Sequence, residues 1–280
     1  MMKVSIITAT YNSANFLEEA ILSVMKQHYN NIEHIIIDGG STDSTLAIIE
    51  KYKDHIAYWK SEPDRGMYDA INKGMKVATG DIIGTLNSDD LLADNKVISS
   101  VVKAFQLNKT DTIYGDLVYV KPDNMENIIR VWKGLPYKRS RYNFGWMPAH
   151  PTFYFKRNLL QSYGYYENHY YTAADYEFMA RYLFHYRVSA CYLPLLIVKM
   201  RSGGMSNGNI FRRLRANRRD YLAMKINNIP FAFIVSIMKP FRKILQYKKV
   251  GAMKMLKPQS MQHETEIPQI IIKRETANAS

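Results

Sequence analysis

Asn87-Ser88-Asp89-Asp90 sets two adjacent carboxylates close behind the apolar run Asp81-Ile82-Ile83-Gly84. Carboxylate, amide and hydroxyl oxygens suit a hard divalent cation such as Mg2+ or Mn2+, which uses one or two carboxylates and leaves its other positions to phosphates and water. Such a cation would offset charge developing on a diphosphate leaving group. The same residues can also cap a helix beginning at Leu91, with Ser88 or Asp89 as the cap. Asp38 opens the loop Asp38-Gly39-Gly40-Ser41-Thr42-Asp43. Its carboxylate can accept hydrogen bonds from a base or ribose, and the glycines let backbone approach a ligand; the plain alternative is a tight turn and helix cap. Arg65 can meet phosphate as a fork donor. Just beyond it, Asp69, Asn72 and Lys73 share one helical face, which a solvated helix start with an Asp69–Lys73 pair would also explain. Asp175, in Ala174-Asp175-Tyr176-Glu177, can take a proton from an acceptor hydroxyl, or merely complement a helix dipole. His150 has no second His or Cys at zinc-ligand spacing, which leaves it as a substrate-contact candidate.

These residues need elements to position them. Lys3 to Ala9 reads as a buried strand, and residues 14–28 follow with helical spacing. Asn31 to Ile37 and Ile56 to Trp59 read as further strands, residues 66–78 as a helix, Asp81 to Leu86 as a fourth strand, and a helix follows through about Phe105. This alternation predicts an α/β fold with a mostly parallel, doubly wound sheet, in which ligands sit outside the carboxyl ends of the strands. Three strands end in polar clusters: Thr8-Ala9-Thr10-Tyr11-Asn12, Asp38-Gly39-Gly40-Ser41 and Asn87-Ser88-Asp89-Asp90. Beyond residue 111 the chain is rich in Tyr and Trp. Thr112-Ile113-Tyr114 and Pro151 to Phe155 have strand character, and residues 173–186 read as a helix.

The 280-residue chain carries a formal charge of +13, unevenly spread. Residues 201–257 hold 14 Lys and Arg against the single acid Asp220, whereas residues 1–200 hold 22 basic and 21 acidic side chains. A basic segment mixed with Phe, Ile and Met points to an anionic surface, and its longest apolar run, around Ile229 to Met238, is too short to span a bilayer. Packing of this segment over the rest of the chain, with its charges merely solvated, is the other reading. The single Cys191 excludes an internal disulfide framework and fits a reducing compartment. No secretory signal is visible at the N-terminus.

The ordered set Val4 to Asn12, Ile37 to Asp43, Asp69-Ala70-Ile71-Asn72-Lys73-Gly74, Ala78-Thr79-Gly80-Asp81, Leu86 to Asp90 and Ala174 to Glu177 resembles family 2 glycosyltransferases, the inverting type with the GT-A fold. Within that family it is most similar to the subgroup that builds bacterial surface polysaccharides such as colanic acid, capsule or O-antigen units. The resemblance implies a GT-A domain over 1–205, with a nucleotide-sugar half to 110 and an acceptor half beyond it. A basic helical extension over 206–280, with a disordered tail, would follow. It implies a nucleotide-sugar donor, a glycan or lipid-linked glycan acceptor, a divalent metal, and a place on the inner face of the cell membrane.

By the same resemblance Thr8, Tyr11 and Asp38 would hold the base and ribose, Asp89 would ligate the metal with Asp90 in support, and Asp175 would serve as base. Thr10, Gly40, Arg65, Asn72, Asn87 and Ser88 complete the expected donor-binding set. Two positions depart from the family pattern. Asn87 stands where the first acid of its metal motif would be, which suits ribose or sugar better than metal. Ala174 replaces an acid before the base and removes a like-charge neighbour. A sugar-nucleotide nucleotidyltransferase is disfavoured because no glycine-rich loop follows the first strand, and a dehydrogenase for the same reason. A nucleic-acid-binding protein would place its basic residues on a face without the Phe, Ile and Met found here.

Overall fold

Val, Ile and Thr fill the first strands, and β-branched side chains lose little freedom on an extended backbone. The structure is a computed structural model and describes residues 1–203 and 210–239; the disordered tail expected at the C-terminus lies outside these. Strands β1 (Val4–Thr10), β2 (Ile32–Asp38), β3 (Tyr58–Ser61) and β4 (Ile82–Thr85) pair in parallel in the order β3-β2-β1-β4. Helices α1 (Leu17–Met25), α2 (Thr45–Lys51) and α3 (Met67–Val77) make the crossovers, as the alternation predicts. Successive residues of β1 point to opposite layers. Ile7 packs in the cluster that holds Ala70 and Met75 of α3, and Ile6 in the one that holds Ala20 and Val24 of α1.

Register aligns the strand ends. Thr10 pairs with Asp38, Asp38 with Ser61, and Ile7 with Thr85. The strand order reverses between β1 and β4, which opens a crevice at their carboxyl ends.

The remaining elements are β5 (Leu91–Leu92), α4 (Val97–Asn108), β6 (Thr112–Lys121), β7 (Asn124–Trp132), β8 (Tyr154–Lys156), α5 (Leu159–Tyr163), α6 (Ala174–Met179), β9 (Ala190–Arg201) and α7 (Ile210–Ile226). They extend the sheet to nine strands and make it mixed: β8 runs antiparallel to β4 and β6, β6 parallel to β9, and β9 antiparallel to β5. α6 continues as a wider π-type turn over Ala180–His185.

Two departures from the sequence reading bear on the site. No helix starts at Leu91; β5 pairs there with β9, and α4 begins only at Val97. The sequence reading assigned no element to the twelve-residue strand β9, whose Pro194 weakens the strand signal of that run. Pro194 is tolerated at a bulge: Tyr114 pairs with Tyr192 and Asp116 with Leu196, so Leu193-Pro194-Leu195 stands opposite Gly115 alone. A Cβ on Gly115 would fall 2.6 Å from Ile197 Cδ1, so only glycine fits there.

After α7 the chain turns at Asn228 and Phe231, both at positive φ, into a helical segment over 232–239. Ala223, Met224, Ile229 and Val235 are buried in the same core cluster as Tyr142 and Tyr176. The inner side of the described segment 210–239 is thus part of the core.

Candidate active site

The loops after β1, β2 and β4 are joined by side-chain hydrogen bonds. The Asn12 N–H donates to Ser41 Oγ (2.8 Å) and the Thr42 N–H to Asn12 Oδ1 (2.9 Å). The Ser13 N–H donates to Thr45 Oγ1 (2.8 Å), and the Ser13 and Ser88 hydroxyls share a bond of 2.8 Å. Asn12 sits at φ 48°, a left-handed conformation that asparagine adopts more readily than most residues.

Asp38 organises this junction. Its Oδ2 accepts the N–H groups of Gly40 (3.0 Å) and Ser41 (2.9 Å) and the Ser61 hydroxyl (2.6 Å), and its Oδ1 accepts the Ser41 hydroxyl. A carboxylate offers about four lone-pair positions; here three donors converge on Oδ2 and one on Oδ1. Gly40 follows at φ 84°, which glycine alone adopts freely.

The loop after β4 differs. Asp90 is fully buried; its Oδ2 accepts Asn87 Nδ2 (2.8 Å) and its Oδ1 the Arg201 N–H (3.2 Å). Asp89 is half-buried, and among the described residues no other residue donates a hydrogen bond to its carboxylate. Burial pushes the pKa of Asp90 well above the carboxylate range, and the charge of Asp89 pushes it further. Burial also raises Asp89, against the opposing pull of its own N–H and of Arg201. Neither Ser88 nor Asp89 caps a helix, because none begins there; it is Asp94 Oδ1 that accepts the Lys96 N–H (2.7 Å) ahead of α4.

Two adjacent acids held at raised pKa, one of them with no donor from another described residue, fit a cation that would relieve both. Among the described residues no three His, Cys, Asp or Glu side chains cluster as a complete cage. The donor set therefore suits Mg2+ or Mn2+ completed by phosphate and water oxygens.

Arg201, which the sequence reading missed, anchors this loop. It is buried at the end of β9, donates Nη1 to the Asp89 carbonyl (2.7 Å) and Nη2 to Glu19 (2.8 Å), and lies over the Phe16 ring. An Arg closing a long apolar run would have been its signal, had that run been read as a strand.

The candidate base reaches the same crevice from the other side. β8 runs antiparallel to β4, so the residues before Tyr154 lie beside the carboxyl end of β4. His150 stands there, its Nε2 2.8 Å from the Tyr166 hydroxyl, and Tyr68 of α3 packs edge-on to His150 and tilted on Tyr166. Asp175 joins this group: burial first and then the Asp175 charge raise Tyr68 and Tyr166 well above the usual tyrosine range. Burial lowers His150, with Asp175 opposing. Asp175 is half-buried in the first turn of α6, and its Oδ1 accepts the Tyr176 N–H (2.7 Å).

The other expected residues are placed as follows. Thr10 ends β1 with a buried hydroxyl that has no partner among the described residues, and Tyr11 projects beside Gly39. Arg65 is 83% exposed and touches only Asp69 (3.4 Å) among its ion pairs. Two residues are reassigned. Thr8 is buried below the strand ends, its hydroxyl 3.0 Å from His34 Nε2. Asn72 turns inward: its Nδ2 donates to the Tyr166 carbonyl (2.8 Å) and its Oδ1 accepts the Tyr166 N–H (3.0 Å). Its Nδ2 also donates to Asn168 Oδ1 (3.3 Å), so the amide ties α3 to the segment around Tyr166 and Asn168.

Comparison with known proteins agrees with this architecture. The model of glycosyl transferase family 2 matches residues 5–164. An uncharacterized glycosyltransferase of Mycobacterium tuberculosis is 33% identical over 181 residues, which cover 64% of this chain and 68% of the relative. Among solved structures, S. aureus TarS 1-349 in complex with UDP-GlcNAc superposes with a TM-score of 0.63 at 19% identity, over 92% of this chain and 77% of that one. This chain spans only 41% of a longer TarS chain. The mannosyltransferase PcManGT of Pyrobaculum calidifontis, in complex with GDP-Man and Mn2+, gives a TM-score of 0.61 at 17% identity, over 91% of this chain and 76% of that one. The chain belongs to glycosyl transferase family 2 and has the GT-A fold of these glycosyltransferases. Asp175 lies beyond the matched segment.

Proposed function

We propose that the protein transfers a sugar from a nucleoside-diphosphate donor to a hydroxyl of a lipid-linked glycan, with inversion, in the assembly of a surface polysaccharide at the inner face of the cell membrane. The observation that carries this reading is the pairing of two half-buried carboxylates: Asp89, which takes no hydrogen bond from another described residue, follows β4, and Asp175 acts on His150, Tyr68 and Tyr166 beside the carboxyl end of β4.

In this reading the Tyr11 ring, the Thr10 hydroxyl and the loop shaped by Asp38 receive the base and ribose. Asn87 and Ser88 face the ribose and sugar, and Arg65 swings onto the diphosphate. Asp89 holds a divalent cation, which when bound offsets negative charge on the diphosphate. The acceptor hydroxyl attacks the anomeric carbon from the face opposite the diphosphate, and Asp175 takes its proton. The new carbon–oxygen bond forms as the bond to the diphosphate breaks, and the bonding electrons leave with the nucleoside diphosphate. One displacement inverts the configuration.

The PcManGT complex with GDP-Man and Mn2+ supports the metal, and the TarS complex with UDP-GlcNAc supports a nucleotide-sugar donor. The test is Asp175→Asn, assayed with a nucleotide sugar and membrane extract as acceptor source. Turnover is expected to fall by about 10²- to 10⁴-fold while donor binding persists. Near wild-type turnover would remove Asp175 from the role of base.

A further inference from the structure

The hairpin of α7 and the 232–239 helix has an inner and an outer side. The inner side grips the region that carries Asp175. Asn227 Nδ2 donates to Glu177 Oε1 (3.4 Å), Lys239 Nζ lies 4.0 Å from the centre of the Tyr176 ring, and the Arg219 guanidinium lies 4.4 Å from that of Tyr171. The outer side is apolar and open to solvent. Leu222 and Ile226, one turn apart on α7, are exposed. Phe231 projects at the turn with 76% of its surface exposed, followed by Phe233, Ile234, Ile237 and Met238. These last four fall at helical spacing on one face, while Val235 and Ser236 are buried on the other.

Charge accompanies this face. Arg215, Arg218 and Lys225 are exposed on the side of α7 that carries Leu222 and Ile226. Asp220 is the only acid of residues 201–257, and it is bound to Lys239 (2.6 Å).

We infer that this outer side docks on an anionic lipid surface, with the Phe231–Met238 segment entering the boundary between headgroups and acyl chains and the three cations meeting lipid phosphates. The inference rests on the proposed lipid-linked acceptor, for which it supplies the contact surface. Charge complementarity selects the occupant. A two-fold pair of copies would set the same cations against each other, which is repulsive. A nucleic acid would leave the row of Ile, Met and Phe without a partner. Among the described residues no helix is long and apolar enough to cross a membrane, so the hairpin lies in the interface. Because its inner side holds Tyr176 and Glu177, next to Asp175, docking brings the base end of the crevice towards the lipid.

The experiment is co-sedimentation of the full chain with vesicles of phosphatidylcholine alone or mixed with phosphatidylglycerol. Binding is expected to the mixed vesicles and to weaken with salt. Arg215→Ser with Arg218→Ser should weaken it about thirtyfold. Phe231→Ser, Phe233→Ser and Ile237→Ser together should weaken it at least about tenfold. All five positions are exposed and lie outside the loops after β1, β2 and β4, so the circular-dichroism spectrum and the donor-induced rise in Tm should be unchanged in both variants. Failure of the wild type to bind mixed vesicles, or equal binding by the apolar variant, would overturn the inference. So would concentration-dependent self-association abolished by the same substitutions, which would place a second copy on the face. Vesicle binding without any donor-induced rise in Tm would instead defeat the transferase reading and leave the docking surface standing.

Discussion

Asp38 ends β2 and Asp89 follows β4, the strands on either side of β1, and the two face opposite circumstances. Asp38 accepts four hydrogen bonds from its own loop and from Ser61, whereas no other described residue donates to the carboxylate of Asp89. One carboxylate holds its own loops together, and the other is the one we propose for the cation. Buried polar groups are normally satisfied, so an acid that is not is the better pointer to a ligand. A similar contrast recurs beside β8, where Asn72 spends its amide on Tyr166 and Asn168, while among the described residues the hydrogen bond to the Asp175 carboxylate comes from its neighbour's N–H.

Substitutions should separate builders from binders. The largest effect expected is the loss of turnover in Asp175→Asn, about 10²-fold or more, with Tm nearly unchanged; a large fall in Tm would make it a builder as well. Asp38→Ala strands four donors and should cost about 3 kcal/mol or more of stability by denaturant titration. Asn72→Ala should cost about 1–3 kcal/mol while leaving donor affinity nearly unchanged; a selective loss of donor affinity would return Asn72 to the binding set.

Asp89→Asn should have the smallest effect on stability. Burial places the folded-state pKa of Asp89 and Asp90 above the unfolded values. Their contribution to stability is therefore full below the ordinary carboxylate pKa and is lost as pH rises through the raised values. In chelator-treated protein the wild type should lose stability over that window towards neutral pH, and Asp89→Asn should lose less; parallel pH profiles would show that the pair is not strained.

The parallel half of the fold was legible because buried strands of Val and Ile alternate with amphipathic helices, and each strand ends in a polar cluster. Legible too was the convergence of those clusters, which the register of Thr10, Asp38 and Ser61 realises. The antiparallel half was not. β9 hides its strand character behind Pro194, and its bulge against Gly115 depends on a partner far away in sequence. Without β9, Arg201 had no place at the site and β5 was read as the start of a helix. Thr8 and Asn72 were misplaced for a related reason: residue type shows what a side chain can bond, but the partners here, His34 and Tyr166, come from tertiary packing. The basic extension divided the same way. Its charge asymmetry and a packed alternative could be read from the sequence, whereas the contact with Tyr176 could not, because that partner comes from tertiary packing.

The most direct measurement is the change in Tm when UDP-, GDP- or dTDP-sugars are added with and without Mn2+, in wild type and in Asp89→Asn. A ligand that binds the folded state raises Tm by mass action. The expected result is that at least one nucleotide sugar raises the Tm of the wild type, that Mn2+ enlarges the rise, and that Asp89→Asn abolishes the Mn2+-dependent part. An identical Mn2+-dependent rise in the variant, or no rise with any donor, would contradict the assignment of Asp89 and the crevice to a metal-bound sugar diphosphate.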